Sequence, residues 1–265
     1  MPGMEREVAF KDLAGNRVAG ILASPEAGTD RVVVLCHGFL SSKQSTTNKV
    51  LTALLLDQGI ATFRFDFFGQ GESEGLFEHT TVTTAVNQAM AALDYVISNG
   101  FLRLGLMGSS FGGLVATLVA SRPLKGAAVL SALSLKCPVP DFPEMLRLEF
   151  GKAGMERWKE SNEIPNVTGG SEPIRLRYAF YEDCLVHDAY KAAEAIRAPV
   201  LIVQGDQDEH VPLHQSGRLF EAIRSEKRLE LLPGANHGFT NAEDFRTMTR
   251  LQADWLTRHL SAERP

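Results

Sequence analysis

The chain has 265 residues and a formal net charge of -5, with 44% hydrophobic and 22% charged residues. That length supports one sizeable core, and the mild acidity, without runs of like charge, lacks the electrostatic footprint of a nucleic-acid or anionic-membrane binder. No stretch of about 18 apolar residues predicts a membrane span.

Three cysteines, Cys36, Cys137 and Cys184, stand without metal-ligand spacing. Their odd number argues against a disulfide framework and for a reducing compartment. The first ten residues have no apolar h-region, so no signal peptide is read there and the expected location is the cytoplasm.

In chain order, residues 7–10 and 17–22 predict an N-terminal hairpin around a Gly15-Asn16 turn. Residues 31–36 (RVVVLC) form a continuous apolar run, the signature of a strand buried on both faces. Helices are predicted over 46–58, before Gly59, and over 80–99, before Gly100. Strands over 61–65, 103–107 and 127–130 alternate with them, and a helix over 111–121 stops before Pro123. Late in the chain come a strand over 200–204, a helix over 213–223, a strand over 229–232 and a helix over 244–260. Such alternation predicts βαβ units, a mostly parallel eight-stranded sheet and helices on both faces.

One segment breaks the alternation. From Ser134 to about Tyr190 no clean strand is read, five prolines occur, Gly169-Gly170 lies near the middle, and aromatic residues are interspersed. A long insertion of this kind in a compact domain is expected to serve as a lid or binding loop. It is read as a small helical cap, about 134–190, over the carboxyl ends of the strands of a single domain spanning 1–265, because ligands of open α/β sheets bind at that edge. No internal repeat or low-complexity segment is found.

The strongest local signal is Gly108-Ser109-Ser110-Phe111-Gly112, a G-x-S-x-G between a predicted strand and a predicted helix. Serine on so sharp a turn brings the residues two before and two after it into contact, and glycine relieves the clash. The new helix points its first amides at the site, which favours a developing anion. Ser109 is the rival nucleophile, but its corresponding neighbours are Met107 and Phe111. A serine hydroxyl needs a base, and the base needs an orienting carboxylate. Two later strand ends supply both: Gly205-Asp206-Gln207-Asp208-Glu209-His210-Val211-Pro212, and Pro233-Gly234-Ala235-Asn236-His237-Gly238-Phe239. His237 is preferred among seven histidines for its strand-end position, while Asp206 and Asp208 both remain candidates for the acid on position alone.

These segments, GSSFGG, GDQDEHVP and GANHGF, resemble the nucleophile elbow, acid loop and histidine loop of the α/β-hydrolase fold. The resemblance covers residues 31–260. It implies Ser110, Asp208 and His237 as catalytic triad, the acid being three residues after Gly205 and three before Val211. It implies an oxyanion hole from the backbone amides of Phe111 and of Phe39 in the His37-Gly38-Phe39 segment, with His37 structural. Asp66-Phe67-Phe68-Gly69-Gln70-Gly71-Glu72-Ser73 is similar to a structural turn of the family, and lacks the third glycine of a dinucleotide fingerprint. Within the family the chain looks closest to bacterial cinnamoyl/feruloyl-type carboxylesterases, in which cap groups hold the phenolic end of the substrate. Asp141 and Tyr181 are the cap residues this would implicate.

The expected function is a serine carboxylesterase acting through an acyl-enzyme on small to medium acyl or aryl esters, possible hydroxycinnamoyl esters included. Its partner would be a small-molecule ester, with no nucleic acid or membrane, and a homodimer is compatible. No cofactor is expected and no catalytic metal is indicated, since there is no H-E-x-x-H and no cysteine pair. An acyl-thioesterase, an acyl-aminoacyl or peptidase-type hydrolase, and a non-catalytic binding module are the alternatives.

Overall fold

The computed structural model describes residues 4–167 and 170–262; Gly169 of the predicted glycine pair lies outside them. Eight strands form one sheet in the order β1-β2-β4-β3-β5-β6-β9-β10. They are β1 (Met4–Lys11), β2 (Arg17–Ser24), β3 (Arg31–Cys36), β4 (Ala61–Phe65), β5 (Arg103–Ser109), β6 (Val129–Lys136), β9 (Val200–Gly205) and β10 (Lys227–Leu232). β2 runs antiparallel to both β1 and β4, and every pair from β4 to β10 is parallel. This is the α/β-hydrolase architecture expected from the sequence. β3 is a continuous apolar run because helices cover both faces of the sheet.

One face is covered by α1 (Thr46–Asp57) and α8 (Ala242–Ser261), which bury Leu51, Leu55, Leu256 and Leu260 against Val33, Leu35 and Leu201. The other is covered by α2 (Val82–Ser98), α3 (Phe111–Ala120), α6 (Ala189–Ala193) and α7 (Leu213–Ala222), which bury Val86, Leu93, Leu114 and Leu219. Ser45 and Thr81 cap α1 and α2 by accepting the amides of Asn48 and Thr84, satisfying donors that the first helical turn leaves free.

Two expectations need correction. β6 continues through Ser134 to Lys136, beyond the predicted 127–130, so the insertion starts after Lys136 rather than at Ser134. Ser134 and Lys136 look like surface residues, yet both are buried, and their polar character hid an interior strand. The insertion also contains a strand pair, β7 (Glu163–Ile164) against β8 (Ile174–Arg175), each only two residues long. The rest is α4 (Phe142–Ser161), broken at Gly151, where φ is 60°, and α5 (Ala179–Cys184). Phe142, Leu146, Trp158 and Phe180 extend the core of the α2–α3 face up into this layer.

Candidate active site

The loops at the carboxyl ends of β3, β5, β6, β9 and β10 converge on Ser110. This residue joins β5 to α3 with φ 53° and ψ −114°, a conformation a non-glycine residue holds only when its surroundings enforce it. The surroundings do so by contact. A Cβ on Gly108 would lie 2.2 Å from the Gly112 carbonyl oxygen, and one on Gly112 would lie 2.3 Å from that of Cys36. The Ser110 amide donates to the Lys136 carbonyl at 2.8 Å, fixing the turn against β6.

Ser110 Oγ is 3.1 Å from His237 Nε2, and His237 Nδ1 is 3.0 and 2.9 Å from the two carboxylate oxygens of Asp208. The Asp208 side chain is fully buried, whereas that of His237 keeps 18% exposure. Burial alone would raise the Asp208 pKa, but the hydrogen bond and charge of His237 and the amides of Val211 and His210 outweigh it and hold the carboxyl below its ordinary value. Those amides donate to Oδ1 at 2.9 and 3.1 Å, and Gln204 Nε2 donates to Oδ2 at 3.2 Å. The carboxylate is therefore ionised at neutral pH and held in one orientation.

Asp206, the other sequence candidate, instead accepts the Gly234 amide at 2.7 Å and braces the turn after β10. His37 is buried. Its Nε2 accepts the Phe67 amide at 3.0 Å, and Nδ1 lies 2.7 Å from the Gly38 carbonyl, so the Nδ1–H tautomer satisfies both contacts. Burial pushes its pKa down to about 4 against the opposing pull of the Gly38 carbonyl and Asp66, which suits a neutral anchor of the loop. Gly38 packs on the elbow, an added Cβ there lying 3.6 Å from Ser110 Cβ. Phe39, the next residue, stacks edge-on against Phe111 at 5.7 Å. Among the described turn and loop hydrogen bonds, the Phe39 and Phe111 amides donate to no backbone carbonyl.

Ser110 and His237 open into a cavity of about 310 Å³. One wall is apolar and comes largely from the insertion: Val139, Phe142, Met145, Leu146, Phe150 and Ile164. Ser41, Ser45, Thr47 and Lys136 make another wall polar. Neither Asp141 nor Tyr181 lines the cavity. Asp141 caps α4 by accepting the Glu144 amide at 2.8 Å, and the Tyr181 hydroxyl accepts from Arg147 at 2.9 Å.

The structure brings to the site two residues that the sequence did not single out. His210 packs edge-on against His237 at 5.3 Å, and its Nδ1 is 3.4 Å from Glu149 of α4, tying the insertion to the acid loop. Lys136 was hidden with the end of β6, whose serines and lysine masked an interior strand. The Cys137 thiol, Asp208 and His237 place donor atoms within 4.8 Å of one another. Burial pushes the Cys137 pKa well above its ordinary value, and both His237 nitrogens already face Ser110 and Asp208, so the arrangement reads as a hydrogen-bonded chain, not a ligand set.

The sheet order, the serine turn and the convergence of the three loops define a hydrolase of the α/β class. The chain belongs to the Alpha/beta hydrolase family, which it matches over residues 33–247. Among curated relatives, it is 24% identical over 198 residues to the mitochondrial palmitoyl-protein thioesterase ABHD10 of Pongo abelii, covering 73% of this chain and 62% of that protein. It is 22% identical to an uncharacterized 31.7 kDa protein of Escherichia coli, covering 86% and 91% of the two chains. Among solved structures, Est1E from Butyrivibrio proteoclasticus with ferulic acid bound superposes with a TM-score of 0.81 at 22% identity, over 96% of this chain and all (100%) of that one. Mouse ABHD10 superposes with a TM-score of 0.80 at 20% identity, over 96% and 99%. No helix among the described residues is long and apolar enough to cross a membrane.

Proposed function

We propose that the chain is a serine carboxylesterase for small to medium acyl or aryl esters. The observation that carries this reading is the hydrogen-bonded chain Ser110–His237–Asp208 at 3.1 and 2.9 Å, opening into a mainly apolar cavity. His237 takes the Ser110 proton as Oγ attacks the acyl carbonyl, and the alcohol leaves with that proton. Water then cleaves the acyl-enzyme by the same route. Asp208 stays ionised and fixes the imidazole with its proton on Nδ1. The Phe39 and Phe111 amides receive the oxyanion, each worth about 3–4 kcal/mol of barrier. A cytoplasmic setting suits three free, buried cysteines.

A cavity near the small end of the ligand-pocket range suits a short or single-ring acyl group rather than a long chain. The second reading, an acyl-thioesterase, is favoured by the similarity to palmitoyl-protein thioesterases. Hydrolysis of p-nitrophenyl esters from acetate to palmitate, beside methyl ferulate and palmitoyl-CoA, separates the two. The carboxylesterase reading expects kcat/KM to peak at short acyl chains or at the aryl ester. A peak on palmitoyl-CoA with negligible ester turnover overturns it in favour of the thioesterase.

A further inference from the structure

Lys136 is a cation where the fold has little use for one. Its side chain closes β6 and is only 7% exposed, and a buried ammonium is costly unless paired. Yet it makes no ion pair among the described residues. Its one side-chain hydrogen bond runs from Nζ to the His237 carbonyl at 3.0 Å, and its charge sits 5.3 Å from the centre of the Phe239 ring. Burial depresses its pKa, and Cys137, Asp208 and Glu209 oppose that only in part.

The same residue grips the other partner through its backbone. The Lys136 carbonyl accepts the Ser110 amide at 2.8 Å, so the residue touches the main chain of both members of the Ser110–His237 bond. His237 is held from its other side as well, its amide donating to Glu209 Oε2 at 3.0 Å. The histidine arrives on a loop from the far end of the sheet, with Phe239 at φ 52° just behind it. A loop residue gripped at both N–H and C=O has its imidazole aimed, and a misplacement of about 1 Å in such a pair is worth on the order of 100-fold in rate.

We propose that Lys136 is a positioning residue that sets the Ser110–His237 geometry by clamping the histidine loop to the strand that already holds the serine. This rests on the serine-hydrolase reading. It explains why a buried cation stands where an apolar side chain would pack at least as stably.

The test compares wild type, Lys136→Met and Lys136→Arg in three measurements: the rate of Ser110 labelling by a fluorophosphonate, kcat and KM on p-nitrophenyl butyrate, and the melting temperature. Lys136→Met fills similar volume without charge or donor. It is expected to lower labelling and kcat together by about 10- to 100-fold, and to melt no lower than wild type. Lys136→Arg, which keeps a cationic donor, is expected to recover most of the lost rate. Labelling and kcat at wild-type level in Lys136→Met overturn the proposal while leaving the serine reading intact. So does a loss that follows a fall in melting temperature and is not recovered by arginine, which would make the lysine merely structural. Wild type that takes up no label removes the serine reading, and the proposal with it.

Discussion

At the carboxyl edge of the sheet, the turn that carries Ser110 is fixed by backbone meeting backbone, with no room for one more carbon at Gly108 or Gly112. The insertion between β6 and β9 is held by side chains reaching across short elements. Trp158 donates to the Leu176 carbonyl at 2.6 Å, Arg147 to the Tyr181 hydroxyl, and His214 lies 3.0 Å from Glu144. The first region leaves the Ser110 turn little room to shift. The second forms the apolar wall of the cavity and can be reshaped one side chain at a time. On the proposed reading, chemistry and selectivity fall to parts of the molecule that are held in different ways.

That contrast makes its largest prediction within the rigid region. Asp208→Asn is expected to lower kcat at neutral pH by about 10⁴-fold, because the amide cannot hold the imidazole with its proton on Nδ1. Asp206→Asn, whose amide oxygen can still accept the Gly234 amide, is expected to stay within about tenfold, and the reverse ranking in steady-state assays would move the acid to Asp206. Asp208 also carries a signature in pH. Its carboxyl pKa is lower folded than unfolded, so its stabilisation is present above the unfolded value and lost as pH falls through the folded one. The Asp208→Asn variant should accordingly show a flatter loss of stability across the carboxylate range.

Two substitutions compare the regions directly by urea unfolding. Gly108→Ala forces a Cβ onto the Gly112 carbonyl and is expected to cost about 3 kcal/mol or more, or to prevent folding. Trp158→Phe, in the insertion, removes the bond to Leu176 and some volume, and is expected to cost about 1–2 kcal/mol. Equal losses would erase the distinction between a backbone-locked edge and a side-chain-held insertion.

The same distinction accounts for what was legible in the sequence. Glycines forced by backbone contact and acids and histidines at strand ends are short-range constraints, so the elbow, the two later loops and the mostly parallel sheet could be read from residue types at fixed spacing, with the family resemblance choosing between Asp206 and Asp208. The end of β6 could not, because Ser134 and Lys136 are polar residues turned into the interior. Nor could the insertion, whose pairings depend on contacts between residues far apart in the chain. Asp141 looked available for a ligand but caps its own helix, and Tyr181 was already engaged by Arg147. His210 and Glu149 become site residues only through the cap-to-loop contact that the fold creates.

The most direct test of the account is intact-mass measurement after incubation with a fluorophosphonate, on wild type and on Ser110→Ala of matched melting temperature. The account predicts one covalent adduct on wild type, mapped to Ser110, and neither adduct nor ester hydrolysis above background in the alanine variant. An adduct on Ser109, or an alanine variant that still turns over ester at the wild-type rate, would contradict it.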